Sequence, residues 1–284
     1  MLIIRVAGGL GNQMFQYALY RSLINKGRDA YIDLNWFRKN NIHNGYELKR
    51  VFNIIVNKST DKMVELLDGD DFSIIGKMKK KLHLTTDKIY YAEGEKALIY
   101  IPEIFSFENK YLSGYWQSEK YFWDLKNDIK KDFTFPAIND FNNMKLMEEM
   151  RKVNSVSVHV RRGDYQSEKL FKNICNADYY KRALYLIDRI VKDAKIYVFS
   201  NDIKWCKDVF SDYNVNYVEN NVKNNSYIDM HLMSLCKHHI VANSTFSWWG
   251  AWLGEYENTY VIAPQRWHNG KMSEDIIPKR WIRI

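Results

Sequence analysis

The chain has 284 residues, 46% apolar and 27% charged, which fits a globular protein of one large or two ordinary domains and excludes a disordered one. Its formal net charge is +8, but the positive residues are scattered, with one dense run at Lys77, Lys79, Lys80 and Lys81. That pattern attracts phosphates or an anionic membrane face. It lacks the basic stripe with stacking aromatics that a nucleic-acid binder needs.

In chain order, Leu2–Val6 is a short apolar run, Gly8, Gly9 and Gly11 form a turn, and Phe15, Ala18, Leu19 and Leu23 recur at helical spacing. "DAYIDL" reads as the next strand, giving a βαβ opening and a parallel sheet. Residues 36–110 read as short helices and loops. A strand at Tyr111–Tyr115 then feeds a helix through Asp132, "FTFPAIND" crosses over, and a helix spans Asn142–Lys152. From there strand and helix alternate: "SVSVHV", "DYYKRALYLIDRIV", "KIYVFSND", "WCKDVF", "VNYV", "SYIDMHLMSLC", "HHIVA", "FSWWGAWLG" and "TYVIAP". This is a doubly wound α/β pattern. We expect two α/β domains, 1–150 and 151–284, with a boundary near residues 140–153 and a ligand cleft between them.

Cys175, Cys206 and Cys236 are three and widely spaced, which argues against a disulfide frame or zinc site and for a reducing compartment. The chain has neither a signal-peptide layout nor an apolar run of about 20 residues. We expect a cytoplasmic protein, with peripheral contact at the inner membrane face as an option.

Ligands in such sheets sit off the carboxyl ends of strands. The "HVRRGDY" stretch ends a strand with Arg161 and Arg162, whose planar donor forks suit phosphate oxygens. Adjacent residues point opposite ways, so one arginine faces the crevice and the other pairs with a carboxylate such as Asp164. In "NSTFSWW", Ser244 or Thr245 caps a helix whose free amides also suit an anion. Trp248, Trp249 and Trp252 read as core. Asp229 stands three residues after Ser226, a capping-box spacing, yet its carboxylate also suits a guanine N1–H and exocyclic amine. "GGLGNQ" does not complete a dinucleotide fingerprint, though its glycines allow close backbone approach and Asn12 and Gln13 could bond a ligand. His159, His231, His238 and His239 lack metal-ligand spacing, and "DGDD" at Asp68–Asp71 reads as a solvated loop.

The segments "GGLGNQMFQYA", "HVRRGDY", "FSND" and "YIDMHLMSLCKHHIVANSTFSWWGAWL", in that order, resemble the α-1,2-fucosyltransferases of glycosyltransferase family 11, bacterial type. The resemblance implies a GT-B fold: two Rossmann-like domains facing a cleft. It implies GDP-β-L-fucose as donor, a galactoside 2-hydroxyl as acceptor and inversion without a metal or cofactor. Arg161 would hold the diphosphate and Asp229 the guanine. His159, Ser244, Thr245 and Phe246 would line the nucleotide pocket, with Arg162 and Asn243 beside them. Asp164 is the candidate base, Glu168 the second, and Asn12 orients the hydroxyl, with Gly9, Gly11 and Gln13 nearby. A lipid-linked acceptor would give the positive charge a use. Rival readings are a transferase for another sugar nucleotide, a nucleic-acid binder and a nicotinamide oxidoreductase.

Overall fold

The computed structural model describes residues 1–40, 43–67, 90–94, 97–270 and 275–284, apart from the side chain of Asp164. The chain forms two compact units, Met1–Thr134 and Phe135–Ile284. The Lys77–Lys81 run and "DGDD" lie outside the described residues.

In the first unit, β1 (Leu2–Arg5), α1 (Leu10–Asn25) and β2 (Ala30–Asp33) form the expected βαβ opening. Short helices α2 (Asn35–Lys39), α3 (Leu48–Phe52) and α4 (Asp61–Leu66) follow, then β3 (Tyr90–Ala92), β4 (Lys110–Ser113) and α5 (Lys126–Asp132). All pairs are parallel, in the order β2-β1-β4-β3. The stretch 36–110 therefore holds a strand as well as helices. Three residues give too little alternation to be read, and β3 is fixed by pairing with β4, where Tyr90 stacks on Tyr111 at 5.7 Å. The helix expected to run through Asp132 is interrupted by two 3₁₀ turns, Glu119–Tyr121 and Trp123–Leu125, before α5 begins.

The second unit runs α6 (Phe141–Lys152), β5 (Asn154–Val160), α7 (Ala177–Ile190), β6 (Ala194–Ser200), α8 (Ile203–Val209), β7 (Val215–Val218). It continues α9 (Tyr227–Leu235), β8 (His238–Ile240), α10 (Thr245–Leu253), β9 (Val261–Ala263) and β10 (Ile282–Arg283). The two-residue β10 was not legible in sequence. Its six parallel strands take the order β10-β9-β8-β5-β6-β7. Numbered within the unit, that is the 3-2-1-4-5-6 order of a Rossmann sheet, with its switch point between β5 and β8.

Period-two alternation on β5 sends Val156, Val158 and Val160 into one core, against Tyr180, Ala183, Leu184, Ile187 and Val191 of the α7 stripe. The opposite face carries Ser155, Ser157 and His159, all buried. Trp248, Trp249 and Trp252 are core residues, as their spacing predicts. All three cysteines are free and buried. Among the described residues no helix is long and apolar enough to cross a membrane.

Candidate active site

The switch point of the second unit brings the ends of β5 and β8 side by side. Their backbone is pinned from behind by α7. The Tyr180 hydroxyl donates to the His159 carbonyl at 3.0 Å, and the Tyr179 hydroxyl to the Val241 carbonyl at 2.6 Å. Asn176 caps α7 by accepting from the Tyr179 amide at 2.9 Å, which fixes both tyrosines at the helix start.

The two arginines after β5 part as alternation requires. Arg162 donates from Nε to Asp202 at 3.1 Å and lies 4.2 Å from the Trp205 ring centroid. Its amide donates to Asn201 at 3.0 Å. Asp202 also caps α8 by accepting from the Trp205 amide at 3.2 Å, so one carboxylate holds helix and arginine together. The carboxylate that holds Arg162 is thus Asp202, 40 residues away in sequence. Arg161 takes the other side. Its Nε is buried and its guanidinium lies 5.4 Å from the Tyr165 ring centroid.

His159 is on the Arg161 side. Its ring meets Phe246 at 5.6 Å, and its Nδ1 is buried with no hydrogen-bond partner among the described residues. Burial, aided by the Arg161 charge, depresses its pKa to about 3, so the imidazole is neutral. Ser244 sits at the N-cap of α10 but does not cap it, contrary to the sequence expectation. Ser247 instead bonds back from its hydroxyl to the Ala242 and Ser244 carbonyls. The amides of Phe246 and Ser247 have no partner among the described residues, and a helix start of this kind suits an anion. Asn243 is buried, and its amide donates to the Trp267 carbonyl at 3.1 Å, so it braces the loop. Thr245 opens α10.

The capping box at Ser226–Asp229 does not form. Ser226 is itself helical at φ −58°, because a 3₁₀ turn, Lys223–Asn225, runs into it, and its side chain caps nothing. Asp229 accepts instead from Asn221 at 2.8 Å. Asn221 and Asn143 exchange amide bonds at 2.8 and 3.1 Å, and Asp140, the α6 cap, accepts from Asn143 at 2.7 Å. Burial pushes the Asp229 carboxyl up to about 7, opposed by the Asn221 bond. Asn221 and Asn143 escaped the sequence reading because lone asparagines carry no spacing signal.

Asp164 lies on the 3₁₀ turn Gly163–Gln166, with its side chain outside the described residues. Glu168 is exposed on the following loop.

The first unit has its own switch point between β1 and β4. Gly8 there has φ +81°, and an added Cβ would lie 2.7 Å from Asn12 Nδ2. Gly9 is the N-cap of α1, Gly11 is buried in its first turn, and Asn12 accepts from Gln117 at 2.9 Å. Gln13 is fully buried and faces protein, not solvent. It donates to the Gly8 and Gly45 carbonyls at 2.9 and 2.8 Å and accepts from the Glu47 amide at 2.8 Å. That clamp brings His43 over Gly9, a residue the sequence reading did not single out. Among the described residues no trio of His, Cys, Asp or Glu is placed to hold a metal ion.

The sheets define a GT-B-type glycosyltransferase fold. A solved NodZ α-1,6-fucosyltransferase soaked with GDP-fucose shares it at TM-score 0.52 and 14% identity, covering 89% of this chain and 92% of that one. The profile of Glycosyl transferase family 11 matches residues 1–284, and the chain belongs to that family. An α-1,2-colitosyltransferase of Escherichia coli is 35% identical over 100% of this chain and 99% of its own length. The O-antigen biosynthesis glycosyltransferase WbnK of Escherichia coli is 33% identical over 98% and 99%. Galactoside alpha-(1,2)-fucosyltransferase 2 of Hylobates lar is 26% identical over 92% of this chain and 71% of that protein.

Proposed function

We propose that this glycosyltransferase moves L-fucose from GDP-β-L-fucose to the 2-hydroxyl of a galactoside, with inversion, in surface polysaccharide synthesis. The observation that carries the reading is one edge of the second unit, where Arg161, the neutral His159 ring and the uncapped start of α10 meet. When the fucosyl–oxygen bond breaks, its electron pair leaves on the diphosphate. Arg161 and the amides of Phe246 and Ser247 stabilise that growing charge. Asp229, steadied by Asn221, accepts from the guanine N1–H and amine. Arg162 braces the turn from Asp202. The first unit carries the acceptor, with Asn12 orienting its hydroxyl. The acceptor is lipid-linked at the cytoplasmic face, and no metal or cofactor takes part. The α-1,2-fucosyltransferase and O-antigen relatives support donor and pathway class. The colitosyltransferase relative makes GDP-colitose the donor to run against GDP-fucose.

The test is transfer to β-galactosides with GDP-fucose, GDP-colitose, GDP-mannose and UDP-galactose. GDP-fucose should give an α-1,2 product, unaffected by EDTA. Arg161→Ala should lower kcat/KM by about 10²–10³ with the melting temperature unchanged, by analogy with loss of an oxyanion donor. Preference for a UDP sugar, a loss restored by Mn²⁺, or near-normal turnover of Arg161→Ala would contradict it.

A further inference from the structure

We infer that His43 is the general base that takes the proton from the acceptor hydroxyl. The inference rests on the α-1,2-fucosyl transfer reading and deepens it. His43 is exposed, and its Nδ1 lies 3.6 Å from where a Gly9 Cβ would stand. It therefore covers the glycine turn that follows β1, beside Asn12 and at the carboxyl edge where an α/β sheet takes its ligand. Its backbone is left-handed, at φ +59°, a conformation that costs free energy and is retained where surrounding structure enforces it. The enforcement is visible. Gln13 ties the Gly45 carbonyl and the Glu47 amide, on the loop of His43, to the Gly8 carbonyl of the turn. That loop returns through Glu47, whose carboxylate pairs with Arg50.

Among the described residues, three buried acids of the first unit are already engaged, and the exposed Asp61 pairs with Arg38. Asp33 is buried and accepts from the Tyr111 hydroxyl at 2.6 Å and the Asn35 amide at 2.9 Å. Glu47 is buried against Arg50. Glu93 is buried and accepts from the amides of Tyr115 and Trp116 at 2.7 and 3.2 Å. Each carboxylate holds the scaffold, while the imidazole is presented to solvent. The turn beneath it, Gly8–Gln13, carries no ionisable side chain, and Glu47 on its own loop pairs with Arg50 of α3. Asp164, in the second unit, is the competing candidate for the base. The step balances: the hydroxyl proton passes to the imidazole, the hydroxyl oxygen bonds the anomeric carbon, and the anomeric carbon–oxygen bond breaks with its electrons going to GDP. The imidazolium then returns its proton to solvent.

The test uses His43→Asn in the full-length protein, because asparagine tolerates the left-handed backbone and keeps a polar side chain. Thermal melting checks the fold, and His43→Gln repeats the kinetics. Wild type should show an acid limb in its kcat–pH profile. In His43→Asn, kcat should fall about 10²–10⁴, with donor KM unchanged and the acid limb gone. An acid limb that persists in a folded variant, a kcat within about threefold of wild type, a donor KM effect alone, or a wild type without an acid limb overturns the inference. A limb that survives in His43→Asn and disappears in Asp164→Asn returns the proton to Asp164. If wild type transfers no fucose to any β-galactoside, it is the transfer reading that fails, not the base assignment within it.

Discussion

Asp229 is a buried acid whose carboxyl sits at about 7 because desolvation outweighs its single amide bond from Asn221. Guanine presents two donors, and only the carboxylate accepts both. In the proposed guanine site, binding GDP would therefore favour the ionised form and release a proton when the free protein holds one. The predicted outcome is a GDP affinity that rises between pH 5.5 and 7.5, about tenfold per unit below 7 for one coupled proton. His159, depressed to about 3, adds no proton in that window. Calorimetry in buffers of different ionisation enthalpy reads the effect. Asp229→Asn should weaken binding and remove the slope, whereas a flat wild-type profile removes Asp229 from the guanine site. Sequence offered two roles for this residue, and the structure removes the capping one, since Ser226 is already helical.

At the scale of elements, the β5 end and its turn decide where the arginines point. An added Cβ at Gly163 would lie 2.4 Å from Asn201 Nδ2, the amide whose oxygen holds the Arg162 backbone, so that side chain must shift. Gly163→Ala should therefore loosen the hold of Asn201 on this turn. We expect a lower melting temperature and a kcat/KM reduced about tenfold or more through the moved Arg161. Wild-type kinetics in this variant would show that the turn does not position that arginine. The opposed faces of Arg161 and Arg162 were legible in "HVRRGDY", because alternation is a local rule. The partner of Arg162 was not, because Asp202 is brought close by β5–β6 pairing. Ser244 stands at the N-cap position without a side-chain cap bond, while Ser247 donates its hydroxyl to the Ala242 and Ser244 carbonyls.

Over the whole molecule, the regular strand–helix rhythm of the second half was readable, and the strand order that follows from it sets the switch point. The first half was read poorly because its strands and helices are short and are defined by pairing, as β3 shows. Buried titratable groups give a global prediction. His159 is lowered to about 3, His231 to about 4 and His239 to about 3, each chiefly by burial. Between about pH 4.5 and 6.5 the unfolded chain protonates these three and the folded chain does not. Asp229 and Glu93, both raised to about 7 by burial, act in the opposite sense, since the folded state keeps their protons. His238, also lowered by burial, joins the histidine side, so the unfolded chain holds more protons in the lower part of this window and stability should fall as pH drops through it. Thermal melting from pH 7 to 4.5 measures it, and a melting temperature constant or rising on acidification would contradict these assignments.

In the proposed mechanism, Arg161 and the start of α10 grip the diphosphate of the donor. A crystal structure of the protein with GDP tests it most directly. Phosphate oxygens should lie within hydrogen-bond reach of the Arg161 guanidinium and of the Phe246 and Ser247 amides. GDP bound elsewhere, with Arg161 still against Tyr165 and touching no phosphate, would contradict it.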